Sequence, residues 1–439
     1  MPSPKKSPAN ALSAAISCLS DYDPEALSIT QAHAIIRRFI GNGLTPISAV
    51  EKIAIRSALD RVLGSDITSP INVPAYDNSA MDGYALRGID LQAKGDTVLQ
   101  VVGTAHAGHA YLEKVEANQA IRIMTGALLP DGADTVIPQE LVQTITGEHI
   151  TITAASVIAG ANRRLAGEDL QAGATALHQG RILRPADLGL LASLGIAEVP
   201  VQRRLRVAFF STGDELRAVG DMLDPGCVYD SNRYTLHGML TRLGCEVIDM
   251  GVIKDDPIAL KKAFLDAADQ ADAIITSGGV SVGDADHTKH MMAQLGEVAF
   301  WKIAMRPGRP FAFGSINSST QQAIPFFGLP GNPVAVMVSF YFFVRDALLQ
   351  MMGAQVSPLP LMRAPLANAI RKRPGRTEYQ RGLLSPTEDG TWSVRPTSAQ
   401  GSGILRSMTE ANCIIVLSHD QADAATGDQV DVILFDGLT

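Results

Sequence analysis

Residues 204–354 predict a doubly wound α/β domain with a mostly parallel sheet, inside a multidomain chain that also carries β-rich and helical parts. Three patterns support this. Between 204 and 354, apolar strands alternate with longer helical segments. Between 71 and 165, short apolar runs such as "TVLQVVG", "AIRIMTG", "DTVIPQE" and "HITITAA" are broken by Gly, Asp and Asn. After about 356, the short runs "TWSVRP", "ANCIIVLS" and "DQVDVILF" are separated by turns, which suggests a small β-barrel or sandwich.

Taken in order, residues 1–27 read as a loose, disordered tail from their Pro, Ser and Ala content. Ile35, Ile36, Phe39 and Ile40 recur at helical spacing around Arg37 and Arg38, which predicts an amphipathic helix. A second short helix is expected around 58–63. The helical pattern returns in "RPADLGLLASLG", with Gly195 as its stop. Residues 28–70 and 166–203 are therefore expected to form a helical stem, with 71–165 as a β-rich insertion. In the 204–354 domain, "LRVAFF", "CEVIDMGVI" and "ADAIITSGG" each precede a helical segment, at 231–243, at 257–268 and around 287–295. Residues 355–439 are assigned to the C-terminal β domain.

At 439 residues with 46% hydrophobic content, the chain is long enough for three or four cores. A net charge of -8 argues against general nucleic-acid binding, so an anionic ligand needs a local basic patch. Cys18, Cys227, Cys245 and Cys413 form no CxxC pair, which points away from zinc and from a disulfide framework and suits a reduced cytoplasm. The apolar run 334–344 stops at Arg345 and is too short to cross a bilayer, so no membrane association is expected. No signal peptide is expected from "MPSPKKSPAN".

Ligands of open α/β sheets bind beyond the carboxyl ends of the strands. There the sequence places "STGDE", "KDD", "SGGVSVGDAD", "RPGRP" and "LPGNP". "SGGVSVG" reads either as a tight βα turn or as a cradle of backbone N–H groups for an oxyanion. Glu215, Asp255, Asp256, Asp284 and Asp286 share that edge, although Asp284 also reads as a helix cap. Several carboxylates beside a phosphate require a cation between them, and Mg2+ is the natural candidate. Lys302, Arg306 and Arg309 supply positive charge in a stiff turn suited to a tetrahedral dianion. His287 and His290 are set aside, because no third His or Cys accompanies them. Trp301 reads as a packing anchor. In the insertion, "VPAYDNSAMDGYAL" is dense in turn-forming and acidic residues, and "MTG" exposes Thr125.

Together these segments resemble the molybdopterin molybdenumtransferase family, related to the E domain of gephyrin. The motifs "DNSAMDGYA", "IRIMTGA", "GED", "FSTGDEL", "YDSN", "KDDP", "SGGVSVGDAD", "LPGNP" and "QRG" occur in the family's order from about 29 to 435. The resemblance implies an elongated homodimer of four-domain subunits, with a MogA-like α/β domain, a β-rich insertion, a helical stem and a C-terminal β-barrel. It implies a cytoplasmic enzyme that inserts molybdenum from molybdate into adenylylated molybdopterin and releases AMP with the help of a divalent cation. A molybdopterin adenylyltransferase is a possible partner. The cleft would lie between the α/β domain of one subunit and the insertion of the other.

By the same resemblance, Asp82, Thr125, Asp169, Glu215, Asp255 and Asp286 fall on polar functional positions, with Asp255 and Asp286 assigned to the cation. Ser277, Gly278, Gly279, Ser281 and Gly283 would face the pterin phosphate region. Lys302, Arg306, Arg309, Pro330, Pro333, Arg381 and Ser402 would handle molybdate or substrate. Two departures stand out. Arg306 and Arg309 replace the lysines usual in "KPGKP", and Leu165 and Ala166 interrupt the arginine run before "GED". The competing readings are the adenylyltransferase step itself and a non-catalytic pterin-binding scaffold.

Overall fold

The computed structural model describes residues 11–17, 19, 22–43, 49–279 and 291–438. At its centre a six-stranded sheet runs in the spatial order Glu246–Ile253, Arg206–Thr212, Ala273–Ser277, Ala323–Leu329, Pro310–Asn317 and Gly296–Lys302. The first four strands are mutually parallel; Pro310–Asn317 runs antiparallel to both its neighbours, so that Gly296–Lys302 again runs in the direction of the first four. Every residue of Ala273–Ser277 and Ala323–Leu329 is buried, as expected for inner strands covered on both faces. Adjacent residues point to opposite faces: Phe209 and Phe327 join one core, Phe210 and Phe326 the other.

Helix Ser231–Arg242 covers the first face and Pro257–Gln270 the second. Both starts are written in the sequence. Asp230 accepts from Arg233 N–H, and Asp256 accepts from Ile258 and Ala259 N–H ahead of Pro257 at the first helical position. The segment 291–295 is helical, while its expected start falls outside the described residues. Trp301 is 2% exposed, stacks on Phe311 and donates from Nε1 to the Tyr22 hydroxyl, as a packing anchor should.

Pro333–Met351 is continuous helical structure with a π-turn at Phe340–Val344. By length and composition it could cross a membrane, but 72% of its apolar window is buried inside the protein, so it serves as a core helix. Helix Ile29–Gly43 packs on the same core through Ile35, Ile36, Phe39 and Ile40, with Phe39 edge-on to Phe313. It therefore does not stand with the stem to which the sequence assigned it, because its apolar stripe is spent on the α/β core.

The stem carries more strand than a helical reading implies. Val50–Ala54 pairs with Glu198–Gln202, and Ile67–Thr68 with Thr175–Leu177. Helix Pro185–Ser193 ends before Gly195 at φ +72°, and Leu63, Leu183, Leu191, Val199 and Val201 fill the space between. Residues 58–63 are not helical: a 3-10 turn at Ile55–Ser57 precedes them, and Leu63 bonds outward to residue 181.

The insertion holds a second six-stranded sheet, in the order Thr135–Pro138, Gly83–Leu86, Gln119–Ile123, Thr97–Ala105, His149–Ile152 and Val142–Thr146. At the C-terminus, Trp392–Pro396, Thr377–Pro386, Cys413–Leu417, Gln429–Leu434 and Met362–Pro365 pair in succession, and a bridge from Leu366 to Val394 closes the ring into a barrel. Part of the expected tail is also structured. Helix Ala11–Ile16 buries Leu12 and Ala15, and its Leu12 and Ser13 N–H groups donate to the Glu297 carboxylate.

Candidate active site

The parallel strands and the antiparallel pair bring their polar ends to one edge. Ser211 aligns with Ser277, Ser277 with Leu329, and Lys302 with Pro310. At the centre of that edge, Gly278 and Gly279 turn the chain with φ of +90° and +69°. A Cβ on Gly278 would lie 2.4 Å from the Thr212 carbonyl, and one on Gly279 would lie 2.9 Å from Thr212 Oγ1. Only glycine meets both the conformation and the closeness to the neighbouring strand end. Gly278 N–H also donates to Leu329 O at 3.1 Å.

Asn232, at the start of helix Ser231–Arg242, fixes this loop. Its Nδ2 donates to Ser277 Oγ and to Gly331 O, each at 2.7 Å, and so ties the glycine turn to the "LPGNP" turn. Beyond that turn, Val334 N–H donates to Ser402 O at 3.0 Å. Ser402 neighbours Gly401, whose carbonyl accepts from Arg381 Nη2 at 3.1 Å. Ser277, Gly278, Gly279, Pro330, Pro333, Ser402 and Arg381 are therefore joined by one continuous chain of contacts across two domains.

Arg381 is the unusual member. It is 1% exposed, and its guanidinium donates only to neutral oxygens, on Ser407, Ala399 and Gly401. No carboxylate pairs with it among the described residues. Burial, together with the neighbouring Arg306 cation, pushes its pKa down to about 10, which still leaves it charged at neutral pH. A buried cation without a counter-charge is costly, and an anion drawn in from solvent would offset that cost.

Arg306 and Arg309 are exposed in their turn. Residues Met305–Arg306 pair with Thr377 and Glu378 of the barrel, so this basic turn sits at the seam between sheet and barrel. Lys302 is placed differently from what was expected. Its ammonium is bound by the Glu25 carboxylate, with its backbone held by Pro24 and Leu27.

On the acidic side, Glu215 folds over Gly213, after strand Arg206–Thr212. Asp255 is exposed after strand Glu246–Ile253, and its N–H approaches Asp214 Oδ1 at 3.4 Å. Asp256 is spent on capping. Asp286, Ser281 and Gly283 lie outside the described residues, as do Asp284, His287 and His290. Among the described residues, no cluster of three or more His, Cys, Asp or Glu side chains could hold a metal ion.

The insertion holds a separate group. Thr125 donates to Asp82 Oδ1 from both its N–H, at 2.7 Å, and its hydroxyl, at 2.8 Å. These two bonds, the backbone one first, hold the Asp82 carboxyl below the usual carboxylate range. Asp169 is exposed, with its N–H on Val73 O. Asp77 stitches the "GED" turn to this segment by accepting from Ala166 N–H at 2.8 Å and facing Arg163. The polar contacts of Asp82, Thr125 and Asp169 stay within the segments 73–82 and 122–170, apart from the strand-end group.

Sequence reasoning missed Asn232 and Asp214 as site members. The "YDSN" stretch contained Asn232, but its role depends on two loops distant in sequence.

Three family models cover the chain: the MoeA N-terminal region (domain I and II) at residues 24–195, the probable molybdopterin binding domain at 208–350, and the MoeA C-terminal region (domain IV) at 363–435. A molybdopterin molybdenumtransferase of Haemophilus influenzae is 43% identical over 390 residues, covering 88% of this chain and 94% of that protein. The chain belongs to the molybdopterin molybdenumtransferase (MoeA) family. Another family member, from a Nostoc species, is 34% identical over 87% of this chain and 88% of its own length. The crystal structure of the molybdopterin biosynthesis moeA protein from Pyrococcus horikoshii OT3 superposes with a TM-score of 0.79 at 30% identity, covering 94% of this chain and all of that one. The family's multidomain architecture is thus the architecture seen here.

Proposed function

We propose that the chain inserts molybdenum from molybdate into adenylylated molybdopterin with release of AMP. Family membership supports the reaction, and the observation that carries the site is Arg381: a buried cation with no carboxylate, linked through 401–402 and the "LPGNP" turn to the glycine loop. An oxyanion beside buried Arg381 and exposed Arg306 would gain charge-assisted hydrogen bonds from both guanidinium groups. The glycine turn leaves no side chain in the way of the phosphate end of the pterin substrate at this edge, while the Gly278 N–H is itself held by Leu329 O.

Molybdate and the phosphorylated pterin repel one another, so the protein's work is to hold both and to offset their charge. Asp255, whose N–H approaches Asp214 Oδ1 beside Glu215 in sequence, would supply hard oxygen donors of the kind that suit Mg2+, joined by Asp286 from outside the described residues. When bound, that ion would supply positive charge at the phosphates. The protein's own groups do the positioning, and no Ser, Cys or His nucleophile is required. Lys302, paired with Glu25, contributes to the joint with the N-terminal segment rather than to the anion site.

Asp82, Thr125 and Asp169 form a second polar group that no contact among the described residues links to the strand-end site, which supports a cleft completed by a second subunit. In that reading, Asp82, oriented by the two hydrogen bonds from Thr125, faces the glycine loop of the partner.

The test is AMP release from adenylylated molybdopterin by the purified chain, with and without molybdate. Molybdate-dependent AMP release that fails on chelation and returns with Mg2+ supports the reading. Pyrophosphate release from ATP and molybdopterin would instead assign the adenylyltransferase step, and absence of any turnover would leave a scaffold.

A further inference from the structure

Between the basic turn and the barrel lies a cavity of about 580 Å³ whose walls include Arg306, Arg371, Lys372, Arg373 and Arg376 against Glu378 and Asp423. The segment "RKRPGR" that supplies most of these cations has no part in the site described above. The two carboxylates are already engaged. Glu378, 2% exposed, accepts from Arg376 at 2.8 and 2.9 Å, and Asp423 accepts from Lys372 N–H at 2.7 Å. Lys372 is 5% exposed and its ammonium donates to the carbonyls of Arg373, His419 and Gln421, so it forms a fixed cationic wall.

Arg371 and Arg373 are exposed at the mouth, and neither side chain has an ion-pair partner among the described residues. Arg306, itself exposed and with Nη1 4.0 Å from Glu378 Oε1, lines the same pocket and also acts on buried Arg381. Positive charge thus runs from an exposed mouth to a buried guanidinium, in a molecule whose net charge is -8. Such a local field concentrates small anions that the rest of the surface repels.

We propose that this pocket is a collecting site for free tetrahedral oxyanion, molybdate, which it gathers from solvent and delivers past Arg306 to Arg381. The inference rests on the reaction proposed above. Guanidinium groups are suited to it, because their forked donors match two oxygens of a tetrahedral dianion and their weak hydration permits release.

The experiment is the molybdate dependence of AMP release in the full chain carrying Arg371→Gln and Arg373→Gln together. The half-saturating molybdate concentration should rise roughly fivefold or more, from loss of local steering. The maximal rate and the half-saturation for adenylylated molybdopterin should stay as in the unaltered protein. Arg371→Lys with Arg373→Lys should recover much of the loss, and added NaCl should raise the half-saturating molybdate of the unaltered protein more steeply than that of the double Gln variant. An unchanged molybdate dependence overturns the proposal. So does a shift confined to the pterin substrate, which would make the pocket a seat for the substrate's phosphate, and so does a loss confined to the maximal rate. If the unaltered protein shows no turnover, the reaction reading fails separately. Equilibrium dialysis with molybdate alone then decides this one: weaker binding in the double Gln variant supports it and equal binding overturns it.

Discussion

Thr125 gives two hydrogen bonds to a single oxygen of Asp82, and these outweigh the opposing effect of burial to hold this exposed carboxyl below its ordinary range. Thr125→Val removes the hydroxyl donor and keeps the backbone one. The Asp82 carboxyl pKa, followed by carbon-detected NMR titration, should move up toward the ordinary range. The linkage has a definite sign. Because the folded value lies below the unfolded one, whatever stability the pair contributes is present above about pH 4 and is lost as pH falls through the lowered folded value. Arg381 makes the complementary case with a cation. Molybdate at 100 times its dissociation constant should stabilise the protein by about 2.7 kcal/mol, read as a rise in unfolding temperature. Arg381→Gln should show almost no rise; an equal rise in the variant would move the anion elsewhere.

The elements explain which of these residues a sequence can reveal. Strand ends and glycine turns follow local rules, so the glycine turn at Gly278 and Gly279 and the "LPGNP" turn were legible as strand-end loops, whereas Asp256 read as one of the edge carboxylates and serves instead as the cap of helix Pro257–Gln270. The role of Asn232 was not, since it depends on Ser277 and Gly331 meeting its amide from segments 45 and 99 residues away. The same limit explains helix Ile29–Gly43: its apolar stripe showed that it packs, but not on which core. It explains residues 58–63 too, where helix-compatible composition gave way to bridges from Val62 to Ile182 and from Leu63 to Val201. Asn232→Ala should cost about 1–3 kcal/mol in denaturant unfolding, because it leaves the Gly331 carbonyl unpaired and frees two loops. Hydrogen exchange should quicken at Gly278, whose N–H is held by Leu329 in the same joint. Gly278→Ala should cost about 1–3 kcal/mol or more for a strained positive φ, in addition to its clash with Thr212 O.

At the scale of the whole molecule, the polar residues fall into two groups that no contact among the described residues joins, one on the α/β edge and one in the insertion. The motif order along the sequence was enough to find both groups, but sequence could not say whether one chain or two complete a site. An Asp82→Asn chain mixed with a Glu215→Gln chain should regain a fraction of the activity that neither variant has alone, as mixed dimers form. Recovery absent at every mixing ratio would mean that each subunit works with its own insertion. The account rests most heavily on the coupling of molybdenum insertion to adenylate cleavage. The most direct measurement is therefore the ratio of molybdenum retained in the pterin product to AMP released in a single turnover. A ratio near one, with no AMP released when molybdate is omitted, is the predicted result; AMP release that continues without molybdate, or a ratio far below one, would contradict it.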